Sequence, residues 1–106
     1  MLRILLDECV HSGVRSAFPG HTVQTVSQTG WLGTEDGKLL SFAQESFDVL
    51  VTIDRNLEYQ NNIKKLRLGV VVARVRSNQI QAYLPIFDQP LVAVARVRNG
   101  EVVHVG

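Results

Sequence analysis

Acidic side chains follow two predicted strands and open one predicted helix. Asp7 and Glu8 come directly after the apolar run at the N-terminus, and Asp54 comes directly after the apolar run 49–53. Asp36 lies in the first turn of the predicted helix that leads into that second run. Crowded carboxylates repel one another and are commonly neutralised by a hard cation such as Mg²⁺ or Mn²⁺. Such ions can stabilise the attacking and leaving oxygens of a phosphodiester, so these residues predict phosphodiester chemistry.

Each acid also has a purely structural interpretation. Asp7 could cap the helix that follows it, Asp36 could stabilise a helix dipole, and Asp54 could be a turn residue. Their positions relative to the strands favour a shared site. Parallel strands end at one edge of their sheet, and a helix that leads into a parallel strand begins at that edge. The sequence therefore predicts that Asp7, Glu8, Asp36 and Asp54 gather there, with Glu35 nearby.

The elements that must position these acids alternate between strand and helix. Alternation of this kind predicts an α/β domain with a mostly parallel sheet and helices on both faces. The predicted strands are residues 2–6, 21–26, 48–53, 69–75 and 101–105. Between them we predict a helix from Val10 through Phe18, a loop at 27–34, a helix capped by Thr34 and running through Phe47, a short helix within 57–66 and a helical region from residue 77 or 78 to 97.

Length and composition set the class of protein. A chain of 106 residues with 45% hydrophobic content predicts one globular domain spanning residues 1–106. The single cysteine, Cys9, provides no internal disulfide and suits a reducing compartment. No apolar run has the length of a signal peptide core or a membrane span, so we expect a cytoplasmic protein with no membrane partner.

Charge is distributed unevenly along the chain. Acids outnumber bases in residues 1–54, and bases outnumber acids in residues 55–106. This asymmetry is compatible with a polyanionic partner such as RNA, and equally with solvated helix faces. Arg55 could contact a phosphate or pair with the acids around it, and Asn56 could orient either group. Trp31 could anchor a loop in the core or stack on a base.

Two segments resemble a known family. The run ILLDECV at residues 4–10 and the run TEDGKLLSFAQESFDVLVTIDRNL at residues 34–57 resemble the small PIN-like proteins of the domain-of-unknown-function class, which are relatives of the PIN nuclease domain and of VapC-type toxins. The resemblance covers nearly the whole chain. It rests on the acids that end the first strand, the acid that opens the middle helix and the Val-Thr-x-Asp-Arg-Asn strand end.

The resemblance implies a fold, an activity and partners. The fold would be a PIN-like three-layer sandwich with four to five strands. The activity would be that of a ribonuclease dependent on Mg²⁺ or Mn²⁺, acting as a toxin paired with a small antitoxin protein and often dimeric. Asp7, Asp36 and Asp54 would be the catalytic metal ligands and Glu8 an auxiliary ligand, with Arg55 and Asn56 beside them. The family often has a second acid at the position of Asn56, so the number of metal ions and the activity itself stay open.

Two other functions remain compatible with the residues. A PIN-like binding module would keep the acidic cleft and act through a protein or RNA partner without cleaving it. A phospho-receiver domain also places an acidic pair after its first strand and an aspartate after its third. A receiver, however, needs a lysine near the end of its last strand, and residues 101–106 contain none.

Overall fold

Five short β-strands form one sheet, and every neighbouring pair in it is parallel. In this computed structural model of the chain, residues 2–75, 94 and 96–105 are described. The strand order across the sheet is β2-β1-β3-β4-β5. The strands are β1 (Arg3–Leu6), β2 (Thr22–Thr25), β3 (Val49–Thr52), β4 (Gly69–Ala73) and β5 (Val102–Val105). The predicted α/β architecture with a mainly parallel sheet is thus confirmed.

The helices are shorter and more varied than the sequence predicts. The α-helices are α1 (Val26–Thr29), α2 (Asp36–Ser46) and α3 (Leu57–Gln60), and 3₁₀ helices cover Ser12–Ala17 and Ile63–Lys65. The predicted helix from residue 10 to 18 is therefore a 3₁₀ helix. Within the predicted helical region near the C-terminus, Val94 and Arg96 are helical, and residues 76–93 and 95 lie outside the described part of the chain. No helix in the described ranges has the length and apolar composition to cross a membrane.

The predicted loop at 27–34 is wrong at its beginning, where α1 lies. Thr25 caps α1 by accepting a hydrogen bond from the Gln28 N–H, and the Gln28 side chain accepts one from the Thr25 N–H in return. This reciprocal pair satisfies two backbone donors that a helix start otherwise leaves exposed. Gly30 ends the helix with φ at +83°, a left-handed conformation that favours glycine.

The start of α2 also differs from the prediction. The residue before its first turn is Glu35, which makes no side-chain capping bond, and Asp36 occupies the first turn. Thr34 is not the cap, because it lies one residue before Glu35, in a turn that its N–H closes onto the Trp31 carbonyl at 3.0 Å. The predicted apolar stripe of α2 is confirmed, since its members are buried: Leu39, Leu40, Ala43 and Phe47.

Side chains of the strands alternate between two hydrophobic clusters, one on each face of the sheet. Ile4 and Leu6 belong to one cluster, while Leu5 between them belongs to the other, as the two-residue period of a strand requires. The first cluster contains Val14 and Phe18 and the second contains the buried stripe of α2. Val94 is fully buried in the first cluster, so it packs on the sheet.

The strand order reverses between β1 and β3. The chain moves outward from β1 to β2, then returns to pair β3 with the other edge of β1, with Leu6 opposite Val51. In open α/β sheets the helices on the two sides of such a point diverge, which leaves a crevice at the carboxyl ends of the two central strands. This edge of the sheet is therefore where a ligand site is expected.

Asp48 links the first residues of β1 and β3, at the edge of the sheet opposite the crevice. Its carboxylate accepts the Arg3 N–H at 2.8 Å and pairs with the Arg3 guanidinium at 3.2 Å. The guanidinium hydrogen bond lowers the pKa of Asp48, and burial opposes it in part. A folded-state pKa below the unfolded one adds stability above the ordinary aspartate pKa of about 3.9, and this stability is lost as the pH falls through the folded pKa.

We therefore expect Asp48→Ala to lower the free energy of unfolding by about 1 kcal/mol at pH 7. The difference from the wild type should shrink as the pH falls below about 4. Urea unfolding at both pH values measures it. Glu45→Ala is the control, because the Glu45–Arg67 pair has side chains 65% and 67% exposed and should change stability little. An equal loss of unfolding free energy in both variants would contradict the stabilising role of Asp48.

Candidate functional site

Asp7 is the first residue after β1 and is almost fully buried. Its N–H donates to the Val51 carbonyl at 2.9 Å, which extends the pairing of β1 with β3 by one residue. Its Oδ1 accepts the Glu8 N–H and its Oδ2 accepts the Thr52 hydroxyl, both at 2.8 Å. Donors that favour the ionised carboxylate offset part of the cost of burying it. Asp7 is thus held in one orientation at the crevice.

Thr52, the last residue of β3, links the two acidic strand ends. Its fully buried hydroxyl donates to Asp7 and accepts the Asp54 N–H at 3.1 Å. The Cys9 thiol lies 3.5 Å from the same oxygen, and burial, followed by the charge of Asp7, raises the pKa of that thiol. Thr52 is not among the site residues that the sequence predicts. The only signal available was a hydroxyl residue within an otherwise apolar strand that leads to an aspartate.

Asp54 begins a tight turn after β3. Its Oδ1 accepts the Asn56 N–H at 3.0 Å, so the side chain closes the turn as aspartate commonly does. Arg55 and Asn56 are exposed, and in the described ranges neither side chain makes a hydrogen bond to an acid. Arg55 is therefore not placed as a partner of the carboxylates here, and Asn56 contacts Asp54 through its backbone.

Asp36 reaches the same edge of the sheet from α2. Burial raises its pKa, and the negative charges of Asp7, Asp54 and Glu8 raise it further. Charges act on one another in this way only over short separations, so the four acids share one electrostatic environment. We call Asp7, Glu8, Asp36 and Asp54 the acidic centre. Glu35, by contrast, is an exposed residue at the start of α2.

A cleft of about 290 Å³ opens beside the acidic centre, on the side of β2. His11 stands at its rim as the cap of the first 3₁₀ helix, where its Nδ1 accepts the Gly13 N–H at 2.9 Å. Trp31 packs against Phe42 and Phe47, with ring centroids 5.6 and 6.0 Å apart, which favours its interpretation as a loop anchor. The cleft is lined by Asp7, Glu8, Val10, His11, Thr25, Ser27 and Leu32.

The donor chemistry of the acidic centre suits a hard cation, but its geometry is not a finished ligand set. All four members offer carboxylate oxygens, which Mg²⁺ and Mn²⁺ prefer. After burial, the negative charges of the other three acids also raise the pKa of Asp36, and a cation would relieve that repulsion. Within residues 2–75, 94 and 96–105, however, no group of three or more His, Cys, Asp or Glu side chains is arranged to hold a metal ion. Binding would require these side chains to move closer together.

The repulsion at Asp36 leads to a measurable prediction. In the metal-free protein, Asp36 should titrate above the ordinary aspartate pKa of about 3.9, and Asp54→Asn should lower its pKa because one negative charge is lost. Added Mg²⁺ should lower it too if the ion binds there. The pH dependence of the side-chain carboxyl ¹³C shift measures this. Asp48 serves as the internal control, because its pKa should lie below the ordinary value. Identical titration of the two residues would refute the proximity of the acids.

No family model, no curated protein and no solved structure matches this chain.

Proposed function

We propose that this chain is a Mg²⁺- or Mn²⁺-dependent ribonuclease of the PIN-like type. One observation carries the proposal. Asp7 and Asp54 follow neighbouring parallel strands at the point where strand order reverses, and the Thr52 hydroxyl joins them. Ligands of open α/β sheets bind at such points. Because phosphodiesters are negatively charged, an acidic crevice would bind one only together with a cation. The acidic residues therefore favour metal-assisted hydrolysis over direct binding of an anion.

The residues of the acidic centre would divide the work. Asp7, Asp36 and Asp54 would hold the cation and Glu8 would assist them. When bound, the cation supplies positive charge that stabilises the phosphoryl oxygens and favours ionisation of a water molecule. Asp7 begins with a fixed orientation, because Thr52 and the Glu8 N–H hold both of its oxygens. Such preorganisation lowers the cost of reaching the productive geometry.

Other parts of the surface would bind the RNA. Arg55 is exposed directly after Asp54 and can approach a phosphate without breaking an existing ion pair in the described ranges. Further exposed bases lie in the second half of the chain and would attract a polyanion by charge: Lys64, Lys65, Arg67 and Arg74. As the PIN-like resemblance implies, we also propose that the chain is a toxin held inactive by a small antitoxin protein, with a homodimer as its possible assembly.

The decisive experiment is cleavage of a mixed single-stranded RNA pool with Mg²⁺, with Mn²⁺ or with EDTA. The wild type should cleave with either metal and not with EDTA, and Asp54→Asn should be inactive. Glu45→Gln is the matched control, because Glu45 is exposed at the far end of α2 and pairs with Arg67. Metal binding without cleavage would support the PIN-like binding module instead.

One structural observation favours a second candidate. The strand order β2-β1-β3-β4-β5 is also that of phospho-receiver domains. In that function Asp7 and Glu8 would bind Mg²⁺ and Asp54 would accept a phosphoryl group. The residue after β4 is Arg74, however, and residues 101–106 lack the lysine that a receiver needs. Incubation with acetyl phosphate separates the candidates, because a nuclease should gain no phosphoryl mass.

A further inference from the structure

A second cavity, of about 680 Å³, lies between α3, the second 3₁₀ helix and the turn before β5. We call it the α3 cavity. None of its lining residues belongs to the acidic centre. Its volume falls within the usual range for small-molecule sites. Its polar lining is formed by Glu58, Asn61, Asn62, Lys64 and Glu101.

Two of these polar side chains have no partner among the described residues. Asn62 precedes the second 3₁₀ helix but makes no capping bond, and the Lys64 ammonium makes no hydrogen bond or ion pair there. Glu101 is exposed, and its Oε1 accepts the Arg98 N–H at 2.8 Å, which leaves Oε2 available. The α3 cavity therefore offers a cationic donor, an amide and a carboxylate acceptor to a ligand.

The α3 cavity also contains apolar surface and has a fixed wall. Ile63 is buried and Val102 is half-buried, and both line it, so a flat ring has an apolar surface to cover. Gly100 has φ at +80°, and a Cβ there would lie 2.8 Å from the Lys64 carbonyl oxygen. Glycine thus permits the turn to lie directly against the 3₁₀ helix that carries Lys64. This close approach positions Lys64 and Glu101 on the same cavity.

Glu58 is held away from the ligand by a contact inside the fold. Its Oε1 is inaccessible to water and faces Nε2 of His104 at short range, although the contact lies outside ordinary hydrogen-bond angles. Nδ1 of His104 accepts the Arg74 Nε–H at 3.3 Å, so the proton of a neutral imidazole is on Nε2, facing Glu58. Oε1 of Glu58 is thus turned towards His104 and away from water, whereas Glu101 has an exposed carboxylate with Oε2 available to a ligand.

Asn61 lies between the α3 cavity and the start of α2. Its Nδ2 donates to the Leu57 carbonyl at 3.0 Å, and its Oδ1 lies 3.7 Å from the place where a Cβ on Gly37 would stand. Gly37 directly follows Asp36 in the first turn of α2. Asn61 therefore touches the start of α2 on one side and lines the cavity on the other.

We propose that the α3 cavity binds a guanine base of the RNA strand whose phosphate lies at the acidic centre. The assignment of the base to an RNA strand rests on the proposed ribonuclease function. The match between guanine and the polar groups of the cavity does not depend on that function. Guanine presents the acceptors O6 and N7, for which lysine is a suitable donor, and the adjacent donors N1–H and N2–H, which suit a carboxylate. Lys64 and Glu101 supply these two complements, and Ile63 and Val102 supply the apolar surface.

The test measures binding in EDTA, where no cleavage can interfere. Fluorescence anisotropy compares labelled oligouridine with the same strand carrying one central guanosine, adenosine, cytidine or inosine. The guanosine strand should bind about tenfold more tightly than oligouridine. Inosine lacks the exocyclic N2 amine and should bind less tightly than guanosine. Competition by guanosine monophosphate or by the unlabelled guanosine strand shows whether a free nucleotide suffices or a strand is needed. Displacement of the labelled strand by either competitor supports a guanine site.

Matched variants assign the preference to the cavity. Lys64→Ala and Glu101→Gln should each remove most of it. Lys65→Ala removes the same charge from the same 3₁₀ helix, but Lys65 does not line the cavity, so this change should weaken binding of all strands alike and keep the ratio between them. Equal affinity for all strands, or a guanine preference that these variants leave unchanged, would overturn the assignment. Cleavage by the wild type without a guanine preference would overturn the cavity assignment alone. A guanine preference in a protein that never cleaves RNA would overturn the ribonuclease alone.

Discussion

Replacing Asp7 by asparagine should reduce metal-dependent RNA cleavage at least about a hundredfold, without unfolding the protein. The change removes one negative charge from the acidic centre but keeps the shape of the side chain. Asparagine can keep both contacts, because its Oδ1 accepts the Glu8 N–H and its Nδ2 can donate to the Thr52 oxygen, so the link between β1 and β3 survives. Removing a like charge from beside Asp36 and Asp54 also relieves repulsion. The stability of Asp7→Asn should therefore match or exceed that of the wild type, as is common where an active site stores strain.

Two measurements on the same preparation check this expectation. Initial rates with Mg²⁺ give the activity, and urea unfolding gives the stability. Asp48→Asn is the control. Asp48 is an aspartate whose carboxylate accepts a backbone N–H of β1, and it precedes β3, at the opposite end from the acidic centre. This variant should keep full activity. Full activity in Asp7→Asn would contradict the ribonuclease proposal, and a large loss of stability would contradict the repulsion argument.

Removing the hydroxyl of Thr52 should damage both stability and activity. Thr52→Val keeps the β-branched shape that suits a strand, but it leaves Oδ2 of Asp7 and the Asp54 N–H without their buried partner. An unsatisfied buried polar group costs about 1–3 kcal/mol. We expect a loss of stability in that range at pH 7. Cleavage should also fall, because Asp7 and Asp54 lose the atom that fixes their relative positions.

Thr52→Ser separates the hydroxyl from the methyl group. Serine restores the oxygen and loses only buried apolar volume, so its activity should stay close to that of the wild type while its stability falls modestly. Urea unfolding and initial rates for both variants complete the comparison. If serine and valine reduce cleavage equally, the hydroxyl bridge has no role in placing the acids.

Much of the sheet could be predicted because its strands are short apolar runs with clear ends. The run from Val49 to Thr52 is buried throughout, and the β-branched run from Gly69 is buried likewise, so both were recognisable from composition alone. The order of the strands in the sheet is not recognisable from composition, because it depends on how helices of several lengths cover both faces. The short helix α1 is not predicted, since a one-turn helix has no periodicity, although its capping pair, Thr25 and Gln28, has the spacing of a helix start.

The same contrast holds for the acidic centre. The parallel strands predict that Asp7 and Asp54 lie at one edge of the sheet. The direction of α2 predicts that Asp36 lies at the same edge. Thr52 could not be identified in advance, because its partner is decided by register: Leu6 lies opposite Val51, which brings Asp7 beside Thr52. The roles of Arg55 and Asn56 depend on side-chain positions after a turn, which sequence does not specify. The absence of a three-ligand arrangement in the described ranges likewise depends on distances that no spacing encodes.

The pairing of strands has a consequence for how the chain acquires its structure. No two strands of the sheet are joined by a hairpin, because every pair is parallel and each requires a crossover. Thr52 and Asp7, which meet at the acidic centre, are 45 residues apart in sequence. Contacts of such long range raise the contact order and slow folding, and unpaired strands stay exposed meanwhile. During synthesis on the ribosome, the acidic centre cannot form before β3 emerges, whereas it needs nothing from β5. A nascent chain could therefore assemble its carboxylates before the edge of its sheet is complete.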